Sequence, residues 1–129
     1  TTYNRVKQLG IGDKVIFTGY VADEHLAALY SGATVFAFPS LYEGFGIAVL
    51  EAISCGTPVL ASNNTALPEV VGNAGVLVDP YNVEDISSKL LSFLQSADTL
   101  KKISENCNQV SKKFSWQIAA EQTISVLKP

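Results

Sequence analysis

Thr34 to Ser62 reads TVFAFPSLYEGFGIAVLEAISCGTPVLAS, and the fold is decided there. Two apolar runs, Thr34–Phe38 and Pro58–Ala61, bracket the stretch without alternating polar and apolar residues. Strands that are apolar throughout are those covered on both faces. Between them, residues 47–55 (IAVLEAISC) predict a helix, entered through a loop with Gly44 and Gly46 and closed by Gly56-Thr57-Pro58. Strand, helix and strand in that order make a right-handed crossover unit of a parallel sheet.

The same alternation extends outward. Upstream, Val15–Thr18 is a short apolar run ending at Gly19, and Asp23 is an expected N-cap for a helix carrying Leu26, Leu29 and Tyr30. Tyr3, Val6 and Leu9 share a helical spacing that Gly10 and Gly12 stop. Downstream, Leu67–Val71 predicts a helical turn and Gly75–Val78 a fourth strand, closed by Asp79-Pro80. Three helical stripes follow: Val83, Ile86, Leu90, Phe93 and Leu94; Leu100, Ile103, Cys107, Val110 and Phe114; and Trp116, Ala120, Thr123 and Leu127, with Ser115 as N-cap. The expected architecture is one α/β domain over residues 1–129. It is a Rossmann-like parallel sheet of about four strands flanked by helices, with further helices at the C-terminal end.

Composition narrows the function classes. With 129 residues, 47% hydrophobic and 16% charged, the chain has material for one core and not the signature of disorder. No apolar run is long enough to span a membrane. A net charge of -3 offers no basic face to nucleic acid. Cys55 and Cys107 lie outside any metal or disulfide spacing and read as reduced thiols. With no signal peptide, a cytoplasmic location is expected. The chain has no Met and starts at Thr1, so it reads as a piece of something longer.

Chemistry concentrates between Glu43 and Glu51. Gly44 and Gly46 either shape a βα turn or let backbone approach a ligand at a helix N-terminus, where unpaired N–H groups favour phosphate or sugar hydroxyls. The dinucleotide fingerprint fails, because Val49 stands where its third Gly belongs. Glu51 is the only charge in an apolar helix, so it must reach a cleft, pair with a cation or stay neutral. Glu43 is by itself an ordinary loop charge.

Taken together, EGFGIAVLE resembles the signature of retaining nucleotide-sugar glycosyltransferases of the GT-B fold, glycosyltransferase family 4 (group 1). Its flanks VFAFPS, GTPVLAS, LPEVV and GVLVDP follow in that family's order. The resemblance implies an incomplete C-terminal, donor-nucleotide lobe. It puts Glu43 against the donor sugar as the catalytic carboxylate, and the backbone of Gly44, Phe45, Gly46 and Ile47 on sugar hydroxyls and the distal phosphate. Glu51 would take the ribose hydroxyls, and Gly19, Tyr20 and Val21 would line the nucleobase. The implied activity moves a hexose from a nucleotide diphosphate sugar to an acceptor hydroxyl with retention. It needs no cofactor and no obligatory metal, and no Asp-x-Asp is present. The acceptor, a glycan, lipid or small molecule, would be bound by an N-terminal domain that this sequence lacks. The two strands expected before Val15–Thr18, with their phosphate-binding Arg and Lys, are lacking too. That run must pair directly with Thr34–Phe38, borrow a strand from another molecule or stay unpaired, and the expected outcome is a rearranged four-stranded sheet or self-association through the exposed edge. An epimerase of the same architecture and a non-catalytic nucleotide-binding or interaction domain are the alternative functions.

Four features read as incidental. His25 and Glu69 are helix-start residues, Asn63-Asn64-Thr65 is an accidental glycosylation pattern, and Lys101-Lys102 and Lys112-Lys113 are solvated faces. For the lysines, a peripheral contact with anionic membrane is the alternative.

Overall fold

The apolar runs within and after the quoted stretch form the sheet. In the computed structural model, which describes residues 1–128, they are β1 (Phe36–Phe38), β2 (Val59–Ser62) and β3 (Gly75–Val78). All three are parallel and lie in the order β1-β2-β3, with Phe36 opposite Val59 and Val59 opposite Gly75. Every residue of β2 is buried, as a central strand covered on both faces requires. At Gly75 the strands approach so closely that a Cβ would run into the Val59 carbonyl.

The described residues also form seven α-helices: α1 (Thr2–Gln8), α2 (Asp23–Gly32), α3 (Ile47–Ser54), α4 (Leu67–Val71), α5 (Val83–Gln95), α6 (Ala97–Ser111) and α7 (Trp116–Leu127). Helix α3 connects β1 to β2, and α4 connects β2 to β3. The core lies where α3, α4 and α6 meet β2. Val49, Ala52 and Ile53 come from α3, Leu67, Val70 and Val71 from α4, and Cys107 and Val110 from α6. The three- and four-residue spacings put each set on one helix face. Burying a side chain such as Ile53 stabilises the fold by about 1.5–3 kcal/mol. Asn82, Ser96 and Ser115 cap α5, α6 and α7 with their side-chain oxygens.

Four expectations need correction. The sheet has three strands, because Val15–Thr18 finds no ladder partner. Val15 is extended, Ile16 is 87% exposed, and Phe17 stacks on Tyr3 at 3.9 Å. An apolar sequence supplies a face, but a strand also needs a neighbouring backbone, and β1 pairs only with β2. The rearranged four-stranded sheet therefore does not form. Asp23 is the first residue of α2 rather than its cap; Ala22 holds that position without a side-chain bond. The stripe on α7 is not core, for Trp116 is 88% exposed and no residue of that helix is buried. Helix α3 is not enclosed on all sides either. Only one face meets the sheet, and Ile47 is 60% exposed on the other.

Candidate functional site

The loop from Pro39 to Gly46 carries the chain from the carboxyl end of β1 to the start of α3, the end of a parallel sheet where ligands bind. Gly46 is the N-cap of α3 at φ +94°, a conformation that L side chains rarely adopt. A Cβ there would also sit 2.5 Å from Cδ2 of the fully buried Leu67. With glycine as cap, no side chain occupies the helix end. The N–H groups of Val49 and Leu50 donate back to the Gly46 carbonyl, at 3.0 and 3.1 Å. Among the described residues, those of Phe45, Gly46, Ile47 and Ala48 have no acceptor. The result is a set of free donors at the positive end of a helix dipole.

Glu43 lies on that loop. A loop charge is expected to be open to solvent; Glu43 is half-buried instead, with hydrogen bonds at both its carboxylate and its backbone. Ser40 Oγ donates to its Oε1 at 2.9 Å, and its own N–H donates to Thr65 Oγ1 at 3.4 Å.

Glu51 lies on the outer face of α3. Its isolation in an apolar helix predicts partial burial at the edge of a cleft with no basic partner; it lines a cleft, but is exposed rather than partly buried. Among the described residues no basic side chain pairs with it. Its partner is Tyr30, whose hydroxyl donates to Oε2 at 3.1 Å. Tyr30 is itself fixed, its carbonyl accepting from Thr57 Oγ1 at 2.6 Å and its ring standing edge-on to Phe36. Burial, and then the Glu51 carboxylate, push the Tyr30 phenol above its ordinary pKa, so it stays a donor.

The cleft has a volume of about 1040 Å³ and runs between α2, α3 and the start of α7. Tyr30, Phe45, Ile47, Glu51, Glu69, Lys113 and Trp116 are among its lining residues. A space of this size takes a small-molecule ligand. Phe45, Ile47 and Glu51 are thus brought together, while Glu43, Gly44 and Gly46 belong to the adjoining loop and do not line the cleft. Gly19, Tyr20 and Val21 stand outside it on the segment before α2, with Tyr20 90% exposed.

Several participants escaped the sequence reading. Tyr30 sat in an apolar stripe, and only its hydroxyl hinted at a second role. Ser40 went unread although its partner Glu43 is three residues on in the same loop, and nothing local signalled Thr65, which meets Glu43 across 22 residues. Glu69 and Lys113, read as solvated charges, are exposed and also border the cleft. His25 is a surface residue beside Glu24 at 3.9 Å, and Lys101, Lys102 and Lys112 are exposed. Among the described residues no three metal-ligating side chains cluster, and no helix is long and apolar enough to cross a membrane.

The family model described as "Glycosyl transferases group 1" matches residues 1–110. The O-antigen chain mannosyltransferase B of Escherichia coli is 46% identical over 112 residues, covering 87% of this chain and 29% of that protein. Sucrose-phosphate synthase from Thermosynechococcus elongatus superposes with a TM-score of 0.88 at 30% identity, over 98% of this chain and 32% of the other. Anabaena HepE, crystallised with UDP, superposes at 0.84 and 23% identity, over 98% of this chain and 35% of the other, and shows the likeness of fold. The chain spans about a third of the length of these proteins. The Glu43–Glu51 segment, the parallel sheet that presents it and the family match over residues 1–110 agree: this chain belongs to the group 1 glycosyltransferases and carries part of their GT-B fold.

Proposed function

We propose that this chain is the donor-nucleotide lobe of a retaining hexosyltransferase whose donor is a nucleotide diphosphate sugar. The observation that carries the reading is the uncapped start of α3, free N–H donors behind Gly46 with Glu43 before them and Glu51 one helix turn beyond. The backbone of Gly44 to Ile47, in which the N–H groups of Phe45, Gly46 and Ile47 are free, receives the distal phosphate and sugar hydroxyls. The Glu51 carboxylate accepts both hydroxyls of the ribose diol, for which Tyr30 leaves it an unpaired oxygen and several lone pairs. Glu43 faces the sugar. Gly19, Tyr20 and Val21 border the base, an assignment that rests on the family resemblance.

In the reaction, the bond between the anomeric carbon and phosphate oxygen breaks and its electron pair leaves with the diphosphate. The acceptor oxygen bonds that carbon on the same face and gives its proton to the departing phosphate oxygen. The lobe contributes positioning and fixed N–H dipoles where negative charge accumulates. The acceptor, a glycan, lipid or small molecule, binds outside this lobe. We take the enzyme to work in the cytoplasm without an obligatory metal.

The test is a panel of GDP-, UDP- and ADP-hexoses offered to the intact enzyme, with released nucleoside diphosphate and product anomer followed by NMR. Turnover of one donor with retained configuration is expected. Inversion would refute the retaining mechanism, and absence of turnover across the panel would refute the transferase.

A further inference from the structure

The loop that bears Glu43 is held by residues far from it in sequence. Ser62, the last residue of β2, is fully buried, and its Oγ donates to the Ser40 carbonyl at 2.6 Å. Asn64 Nδ2 donates to the Leu41 carbonyl at 3.0 Å, and Thr65 Oγ1 accepts the Glu43 N–H at 3.4 Å. Thr65 holds φ +52°, a strained setting for a β-branched residue. Three links therefore run from the end of β2 to the loop after β1, and all of them hold backbone.

One contact is different. The Ser40 hydroxyl reaches the Glu43 carboxylate itself, at 2.9 Å. The Tyr42 carbonyl, at 3.2 Å, competes for the same proton, and the charged acceptor is both nearer and stronger. Among the described residues the Glu43 carboxylate has no other side-chain partner. Without that bond, the carboxylate would sample several rotamers at the start of α3.

We propose that Ser40 is a positioning residue that aims the Glu43 carboxylate at the donor sugar, with Ser62 anchoring Ser40 from the neighbouring strand. This rests on the donor-lobe reading above. Ser40 does not touch the nucleotide in it, so its loss acts on turnover and leaves nucleotide affinity alone.

The experiment is a double-mutant cycle in the intact enzyme with Ser40→Ala, Glu43→Gln and the pair, plus Ser40→Thr, which keeps the hydroxyl. Turnover is read as nucleoside diphosphate released from GDP-mannose and UDP-glucose, and affinity by calorimetry with GDP and UDP alone. Ser40→Ala is expected to lower kcat about 10–100-fold, the size of one hydrogen bond to a charged group, with the Kd of the bare nucleotide unchanged. Ser40→Thr should retain most of the activity. On the Glu43→Gln background, Ser40→Ala should cost almost nothing further. An unchanged kcat in Ser40→Ala overturns the proposal. So does an equal loss on both backgrounds, or a parallel loss of nucleotide affinity, since each marks a merely structural serine. If Glu43→Gln itself leaves turnover intact, the role of Glu43 falls first, and that result is distinct from a failure at Ser40 alone.

Discussion

Gly44 and Gly46 are two residues apart and look alike in sequence, yet substitution at each should do opposite things. At Gly46, alanine would have to adopt φ +94°, at a cost of about 1–2 kcal/mol for an L residue in the left-handed region. Its Cβ would stand 2.5 Å from Leu67 Cδ2, where carbon atoms prefer about 3.5–4.0 Å. Leu67 is fully buried and cannot swing into solvent, so it must repack at about 1–3 kcal/mol. Gly46→Ala should therefore destabilise the protein by about 2–5 kcal/mol, a Tm drop of roughly 6–25 °C for a chain of this size. At Gly44 a Cβ meets nothing within 4 Å and the backbone is not left-handed. Gly44→Ala should change stability by less than about 0.5 kcal/mol while crowding the ligand side of the loop and weakening nucleotide-sugar binding. Thermal and urea denaturation of both variants, followed by far-UV circular dichroism, decides the matter. A Tm for Gly46→Ala within about 2 °C of the parent, or equal damage from the two substitutions, would refute the reasoning.

Tyr30→Phe removes the donor to Glu51 and keeps the ring against Phe36; nucleotide Kd should rise about 3–10-fold with little change in Tm, measured by calorimetry and thermal melts. Thr65→Gly relieves the strain at φ +52° but gives up the bond to the Glu43 N–H and frees the unfolded chain; these terms nearly cancel, and urea titrations should show a change within about 1 kcal/mol. Burial raises the Cys107 thiol from 9.0 to about 11, so the folded state holds that proton more tightly than the unfolded one. Its contribution is complete below pH 9 and is lost as pH rises from 9 to 11, an amount of about 2–3 kcal/mol. Urea titrations across that range should show the decline, and Cys107→Ala should lack it.

Much of this was legible from residue order. The runs at β2 and β3 are apolar without alternation and bounded by Gly, Pro and Asp, so both strands appear where expected. The motif from Glu43 to Glu51 places its loop and helix for the same reason. What failed depended on partners distant in sequence. Val15–Thr18 has strand composition, but pairing is a property of two backbones. Glu51 reads as partly buried at the edge of a cleft; it does line the cleft but is exposed, because IAVLEAISC does not reveal which face of α3 meets the sheet. Its contact with Tyr30 spans 21 residues, and the acceptor for the Glu43 N–H is Thr65, 22 residues on. Neither leaves a local trace.

The central claim is that the α3 segment binds the nucleotide of a sugar donor, and calorimetric titration of nucleoside diphosphate into the intact enzyme and its Glu51→Ala variant tests it most directly. Among the described residues Glu51 makes no ion pair, and its one side-chain bond, from Tyr30, is exposed, so its removal should leave the fold intact. The expected result is a rise in Kd of about 5–150-fold, equivalent to about 1–3 kcal/mol for hydrogen bonds to a charged group. A Kd that stays within about twofold of the parent in a folded variant, less than one ordinary hydrogen bond, would contradict the claim and move the nucleotide elsewhere.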